Sequence, residues 1–347
     1  MKIGLAIHHH SPGYGGPFTV LSESAKYLYK NEINARMIFG QNQFSNFNLN
    51  LKEIVKSRDL FHIFGIWDPF HIRLFFQAKK FKKKIIISTL GALEPWALEQ
   101  KKLKKKNEFK IYQKKILNNC DFIHATSDDE KKHLEELGIK TPIKVIPHGV
   151  IIKSIQKNTL KEKSQREALF FSIIHEKKGI LELLNSWAEI KPKNWILKIY
   201  GPVSDMNYMI KIKDKISKLS LEDSVFIYEP IFEYDQKEKI FLNSDCFILP
   251  SKSENFGMSI VEALSYGVPV LTTEETPWKI LQDINGGKII KFSQDNLTKS
   301  LKEMLSLSKE ELTLFGSKGR EYLKQNYDIE KIIIDYINFY KEVLQKW

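Results

Sequence analysis

The densest chemistry in the sequence lies in one run, Pro250-Ser251-Lys252-Ser253-Glu254-Asn255-Phe256-Gly257-Met258-Ser259-Ile260-Val261-Glu262-Ala263-Leu264. It follows an apolar stretch, residues 246–249, that reads as a strand, and it opens a helix that stops at Tyr266-Gly267. Gly257 lets another group come close to the backbone, and the amides of Gly257, Met258 and Ser259 fall at the helix start. Unpaired N–H groups and the helix dipole make such a turn a site for an anion, for example a diphosphate. Glu262 lies about one turn into the helix, where a carboxylate accepts both hydroxyls of a ribose. Glu254 precedes the helix and reaches toward a second polyol on the far side of the phosphate. Two carboxylates flanking an anion site describe a place for a sugar nucleotide. The plainer role open to Glu262 is to stabilise the positive end of its own helix.

The elements that must position these residues alternate between short apolar runs and longer helical patterns, which predicts βαβ units and parallel sheets. Strands are expected at residues 2–8, 35–39, 60–64, 85–89, 122–125 and 144–147. The turn Ser11-Pro12-Gly13-Tyr14-Gly15-Gly16-Pro17 separates the first strand from a helix at 20–29. Ser127 followed by Glu130 reads as a capping box, and Gly138 ends the helix it starts. That helix start accounts for Asp128-Asp129 better than a metal site does. A polar, Lys-rich stretch at 153–166 reads as a linker. A second series then follows, with strands at 168–174, 195–200, 225–228, 246–249 and 268–272 and a helix at 180–190. Residues 329–347 are helical, with apolar Ile332, Ile333, Tyr336, Ile337, Tyr340 and Leu344. Two doubly wound domains facing across a cleft is the economical architecture, and in such sheets ligands bind beyond the carboxyl ends of the strands.

Length and composition agree. The 347 residues suffice for two cores, and 42% hydrophobic with 28% charged residues excludes a disordered or fibrous chain. No apolar run approaches the ~18 residues of a membrane span, and His8-His9-His10 interrupts the N-terminus too early for a signal-peptide core. Cys120 and Cys246 lie far apart, which excludes a disulfide framework. The expected setting is cytoplasmic. The net charge of +12 is uneven: residues 1–150 carry +11, and 79–115 alone carry +10. Such a patch faces anionic lipid, nucleic acid or a phosphorylated substrate, or is simply a solvated helix face.

The stretch Ser253–Trp278, with Gly267-Val268-Pro269-Val270 and Thr276-Pro277-Trp278, resembles the donor-site signature of retaining GT-B glycosyltransferases of family four, two glutamates separated by seven residues. The resemblance extends to Gly15-Gly16, to Gly91-Ala92-Leu93-Glu94-Pro95-Trp96-Ala97-Leu98, to Pro147-His148-Gly149-Val150 and to Lys177-Lys178-Gly179. It therefore spans most of the chain, and two of these motifs are similar to the branch that builds O-antigen, capsule or exopolysaccharide. It implies an α/β GT-B fold of two Rossmann-like domains: an acceptor-side domain at 1–155, a nucleotide-sugar domain at 156–328, and a helix at 329–347 that packs back on the first. It implies that Glu262 binds the donor ribose, Glu254 the transferred sugar, and the amides of Gly257, Met258 and Ser259 the diphosphate, with Asn255 and Phe256 also among the donor-binding residues. Lys178 would neutralise that diphosphate as it leaves, making Glu254 and Lys178 the catalytic pair, and Gly15 and Gly16 would let the N-terminal loop approach donor and acceptor. Two positions depart from the family's pattern. Ile173 stands where relatives often carry Arg, and Leu90 where they commonly carry His or Arg.

Other residues read more plainly. Alternation along a strand sends the neighbours in His8-His9-His10 to opposite faces, which argues against a three-ligand metal site. His62 reads as a satisfied structural histidine, with a substrate contact as the second role, and His148 as a hinge-loop residue. Trp67, Trp96 and Trp278 read as core residues, with sugar stacking as the second role. No Asp-x-Asp occurs, so a metal-chelated diphosphate is disfavoured, and no Walker loop or Ser-His-Asp set is visible. The expectation is a metal- and cofactor-independent retaining glycosyltransferase using a UDP or GDP sugar on a glycan, lipid-linked, at the inner face of the plasma membrane. The segment 79–115, with interleaved Phe81, Leu103, Phe109, Ile111 and Tyr112, would dock on anionic lipid, and nucleic acid is not an expected partner. The alternative is a non-catalytic GT-B subunit that binds a glycan or a partner glycosyltransferase.

Overall fold

Two sheets of six strands, each strand parallel to its neighbours, account for the alternation in the sequence. The structure is a computed structural model that describes residues 1–8, 16–40, 51–99, 108–152 and 165–345. The chain divides into two compact units, Met1–Val150 with Tyr327–Trp347, and Ile151–Asn326. The linker expected at 153–166 lies outside the described residues up to 164, and Arg166 already begins a strand.

The first unit contains β1 (Lys2–Ile7), β2 (Asn34–Phe39), β3 (Leu60–Phe64), β4 (Lys84–Ser88), β5 (Phe122–Ala125) and β6 (Ile143–Val145), in the spatial order β2-β1-β3-β4-β5-β6. A parallel sheet is covered on both faces, so its inner strands read as continuous apolar runs, and all five residues of β3 are buried. Alternation sends Leu60 and Phe64 to one face, with Ile3, Leu5 and Ile7, and Phe61 and Ile63 to the other. The first face is covered by the helices Gly16–Lys30 and Ile329–Gln345, through Leu21, Leu28, Ile333, Phe339 and Val343. The opposite face is covered by the helix Pro69–Lys80, which starts at Asp68, whose Oδ1 accepts from the Phe70 amide at 2.7 Å.

A chain of buried polar contacts ties the C-terminal helix to this sheet. Tyr340 Oη lies 2.9 Å from His62 Nδ1, His62 Nε2 lies 2.7 Å from Ser88 Oγ, and Ser88 Oγ lies 2.6 Å from His124 Nδ1. His124 Nε2 in turn lies 2.7 Å from the Ile146 carbonyl and 3.0 Å from Tyr336 Oη. His62 is thus a satisfied core histidine. His148 is buried beside this group, in the loop where the Val150 amide donates to the Tyr327 carbonyl at 2.8 Å.

The second unit contains β7 (Arg166–Phe171), β8 (Trp195–Tyr200), β9 (Val225–Tyr228), β10 (Cys246–Leu249), β11 (Val270–Thr273) and β12 (Gly287–Ile290), in the order β12-β11-β10-β7-β8-β9. The strand β12 is not expected from the sequence, because Gly286-Gly287-Lys288 breaks both alternation and apolar continuity. Strand β7 ends at Phe171 rather than running to 174, so Ile173 lies beyond it, with Ile174 in an isolated bridge to Val203.

The Ser127–Glu130 capping box is only half formed. Ser127 Oγ accepts from the Glu130 amide at 3.2 Å, as a cap should. The Glu130 carboxylate turns inward instead, accepting from Thr126 N (2.8 Å), Thr126 Oγ1 (3.0 Å), Thr89 Oγ1 (2.6 Å) and Gly91 N (2.9 Å). These donors, all from the loops after β4 and β5, satisfy a carboxylate that is 2% exposed.

Burial lowers the pKa of His62 and His124, and pushes His148 down to about 3. All three are neutral in the folded chain near pH 6.5 and take up protons on unfolding. Their contribution is complete above pH ~6.5 and is lost as the pH falls toward their folded values, at ~1.4 kcal/mol per pH unit for each histidine. The unfolding midpoint by calorimetry should therefore fall steeply between pH 7 and pH 5, and His148→Gln should flatten the slope. A profile flat over that range contradicts the network.

Candidate functional site

In the second sheet the winding reverses between β7 and β10, which are neighbours. The chain segments that leave these two strands rise on either side of the reversal, and every described donor-site residue expected from the sequence in this unit lies on them or on the helix that follows β10.

After β7, a short 3-10 turn, Glu176–Lys178, is capped by His175, whose Nδ1 accepts from the Lys177 amide at 3.1 Å. Gly179 follows at φ 70°, and a Cβ there would sit 2.2 Å from the Pro250 carbonyl oxygen. Only glycine permits this contact, which presses the 176–179 turn against the 250–252 turn. Two further bonds seal it: the Lys252 amide donates to the Lys177 carbonyl at 2.7 Å, and Ser251 Oγ to the same carbonyl at 3.2 Å.

That seal brings Lys178 Nζ onto Glu254 Oε1, with both side chains under a tenth exposed. Burial by itself would raise the Glu254 pKa, but the charges of Lys178 and Lys177 outweigh it and hold the carboxyl below its ordinary range. Lys177 is itself lowered by burial and by the Lys178 charge beside it. Next to Glu254, the Asn255 Oδ1 is buried without a hydrogen-bond partner.

The helix Met258–Ser265 begins at Gly257, which adopts φ 75°, a left-handed conformation that favours glycine. Phe256 is buried edge-on to Trp278 with ring centroids 5.7 Å apart, and Trp278 Nε1 donates to the Phe256 carbonyl at 2.6 Å. Phe256 therefore offers a ligand only its backbone, and Trp278, 1% exposed, is a brace for the turn rather than a stacking surface. The amides of Met258 and Ser259 belong to the first turn, where N–H groups have no intrahelical acceptor.

Glu262 points from this helix to Lys237 on the helix Tyr234–Leu242, forming a second Lys–Glu pair. Lys237 Nζ also sits 5.3 Å from the centre of the Phe171 ring. Lys237 is not identifiable in the sequence, since no motif marks it and its partner lies 25 residues away. Ile173 is 40% exposed and places no charge here.

The remaining expected site residues lie in the first unit. Gly16 begins the helix Gly16–Lys30, and Gly15 lies outside the described residues, as do His9 and His10. Among the described residues no group of three or more His, Cys, Asp or Glu is arranged to hold a metal ion, and no helix is long and apolar enough to cross a membrane. In the basic segment, residues 100–107 lie outside the described set. Of its interleaved apolar residues that are described, Phe109 is buried and Phe81 and Tyr112 pack on the core, while Ile111 is 68% exposed. Lys114 donates to the Leu137 carbonyl at 2.8 Å and Lys84 pairs with Asp121 at 3.1 Å, so part of the charge is spent within the fold.

Comparison with known proteins bears on the family and the fold. Residues 151–322 match the family Glycosyl transferases group 1, and residues 7–153 match Glycosyltransferase Family 4. An uncharacterized 41.2 kDa protein in the cps region of Klebsiella pneumoniae is 26% identical over 300 residues, covering 82% of this chain and 78% of that protein. A GDP-mannose:cellobiosyl-diphosphopolyprenol alpha-mannosyltransferase of Xanthomonas oryzae pv. oryzae is 22% identical, covering 84% of this chain and 76% of the enzyme. The crystal structure of Anabaena Alr3699/HepE in complex with UDP and glucose superimposes with a TM-score of 0.78 at 17% identity, over 99% of this chain and 100% of that one. The two sheets and these structural neighbours establish a GT-B fold of two Rossmann-like domains.

Proposed function

The chain belongs to glycosyltransferase family 4, and from that premise we propose that it is a retaining enzyme that moves a sugar from a nucleotide diphosphate to a hydroxyl of a lipid-linked glycan in bacterial surface-polysaccharide synthesis. The observation that carries the reading is the buried Lys178–Glu254 pair set beside a helix start, at the reversal of the second sheet. The donor is of the UDP or GDP type: the Anabaena neighbour binds UDP, and the Xanthomonas relative is named for GDP-mannose and a polyprenol-linked acceptor.

In this reading the diphosphate takes the amides from Gly257 to Ser259 and the ammonium of Lys178. Glu254, kept ionised by Lys178 and Lys177, accepts hydroxyls of the transferred sugar, and Glu262, oriented by Lys237, accepts those of the ribose. Breaking the bond from the anomeric carbon to the phosphate oxygen places negative charge on the leaving diphosphate. Lys178 and the amides stabilise that charge, so no metal ion is needed. The acceptor oxygen attacks from the face the diphosphate leaves, and its proton passes to a phosphate oxygen of the donor, which retains the configuration. The protein's share of the work is positioning and charge stabilisation.

Release of nucleoside diphosphate from UDP and GDP sugars, measured on the purified chain, tests this. One nucleotide should support turnover that EDTA leaves unchanged, and Lys178→Ala should lower kcat about 100-fold. Turnover lost with EDTA, or kept by Lys178→Ala, would overturn the mechanism. A second reading, a non-catalytic subunit that binds a glycan or a partner glycosyltransferase, draws on the uncharged Ile173 and Leu90, and turnover of no donor by a chain that still binds one would favour it.

The same reading places the first unit on the inner face of the plasma membrane through residues 79–115, which carry ten net positive charges. Each Lys near an anionic surface adds ~1 kcal/mol. Co-sedimentation with vesicles rich in acidic lipid should be strong at low salt and lost at high salt. No binding at low salt would contradict it.

A further inference from the structure

The second sheet ends at β9, and among the described residues no strand pairs with its outer edge. Open N–H and C=O groups on such an edge recruit other chains, and lysine or proline commonly guards it. The four residues of β9 include neither. Alternation sends the buried Val225 to one face and Phe226 and Tyr228 to the other, where they are 36% and 39% exposed. Tyr228 stacks its inner side on Tyr200, with ring centroids 4.6 Å apart, and Phe232 is exposed just beyond the strand. The charge around these rings has one sign. Residues 222–235 hold five acidic residues and no basic one, and Glu222, Asp223, Glu229, Glu233 and Asp235 are all exposed.

The first unit carries a surface of the opposite sign. The helix Pro69–Lys80 buries Phe70, Leu74 and Phe75 against the sheet and turns Arg73, Phe76 and Lys80, spaced three and four apart, to solvent. Phe76 is 59% exposed, and Lys79 and Lys82 are exposed beside this stripe. Residues 69–84 hold six basic residues and no acidic one. Lys84 is spent on Asp121 at 3.1 Å, which leaves the charge concentrated around Phe76 and the end of the helix.

Exposed aromatic residues ringed by charge suit an interface whose partner supplies an apolar contact and the opposite charge. Two copies of β9 would set acid against acid, which disfavours edge-to-edge pairing, and an anionic lipid surface is repelled by the same acids. The stripe on the helix Pro69–Lys80 meets both needs. We propose that the β9 edge of one copy docks the Arg73–Phe76–Lys80 stripe of a second copy of this chain. The two surfaces belong to different units, so the contact is heterologous, and copies add head to tail into a ring or an open series. This inference goes beyond the sugar-transfer reading and does not need it. Lys79, Lys80 and Lys82 also belong to the segment proposed to meet lipid, and one copy cannot use them for both at once.

Sedimentation velocity on the full chain tests this without a ligand. At low salt the average mass should rise above the monomer with protein concentration, and at high salt it should return to the monomer as the exposed charges are screened. Asp223→Asn with Phe226→Ser, and separately Arg73→Gln with Phe76→Ser, should each weaken self-association at least tenfold. An equimolar mixture of the two double variants should form a one-to-one pair that grows no further, because each supplies the surface the other lacks. The concentration and salt dependence is read on the native chain, so it decides even if a variant fails to fold. A native chain that stays monomeric at low salt overturns the inference and leaves β9 to a basic partner of another sequence. Association that strengthens with salt, that either folded double variant leaves unchanged, or that the mixture of folded variants fails to restore as a pair overturns it as well.

Discussion

In a parallel sheet all strands end on one edge, and where the winding reverses, the segments following two neighbouring strands depart to opposite faces and leave the space between them unfilled. This constraint governs both units. Between β7 and β10 it sets Lys178 against Glu254, and between β1 and β3 it leaves a cavity walled by the segments after β1, β3 and β4. The two reversals are chemically different. The first is charged, with two Lys–Glu pairs and a helix start. The other is lined mostly by apolar and aromatic side chains.

The charged reversal is costly to build. Burying an ammonium and a carboxylate loses several kcal/mol of hydration per ion, which their attraction recovers only in good geometry. The chain secures that geometry through backbone contacts. Gly179 lets one turn rest on the Pro250 carbonyl, and Trp278 holds the Phe256 carbonyl so that Gly257 can start its helix. A pair placed this way keeps Glu254 ionised in a buried site, which is the state that can hold a sugar hydroxyl.

Much of this was legible in the sequence where the information is local. The strand before the donor-site run is four apolar residues, and the two glutamates, Gly257 and the helix after them sit within one short stretch. Residues joined only by tertiary contact were not legible. Lys237 meets Glu262 from another helix, and His62 meets Tyr340 across 278 residues. From the sequence Glu130 is a local cap, because Ser127 three residues before it fits that pattern. Its four donors come instead from the loops after β4 and β5, which the alignment of parallel strands brings together. The glycines of β12 hide it, and Phe81, Phe109 and Tyr112, interleaved with lysines in the sequence, are turned inward by packing.

On the proposed function, the reversal of the second sheet binds a nucleotide sugar with Glu262 on the ribose. Ligand-observed NMR with UDP, GDP and ADP sugars, on the native chain and on Glu262→Ala, tests it most directly. One nucleotide should bind the native chain, and the substitution should weaken it at least tenfold while the fold is kept. Binding left unchanged by Glu262→Ala, or no binding of any of the three to the native chain, would contradict it.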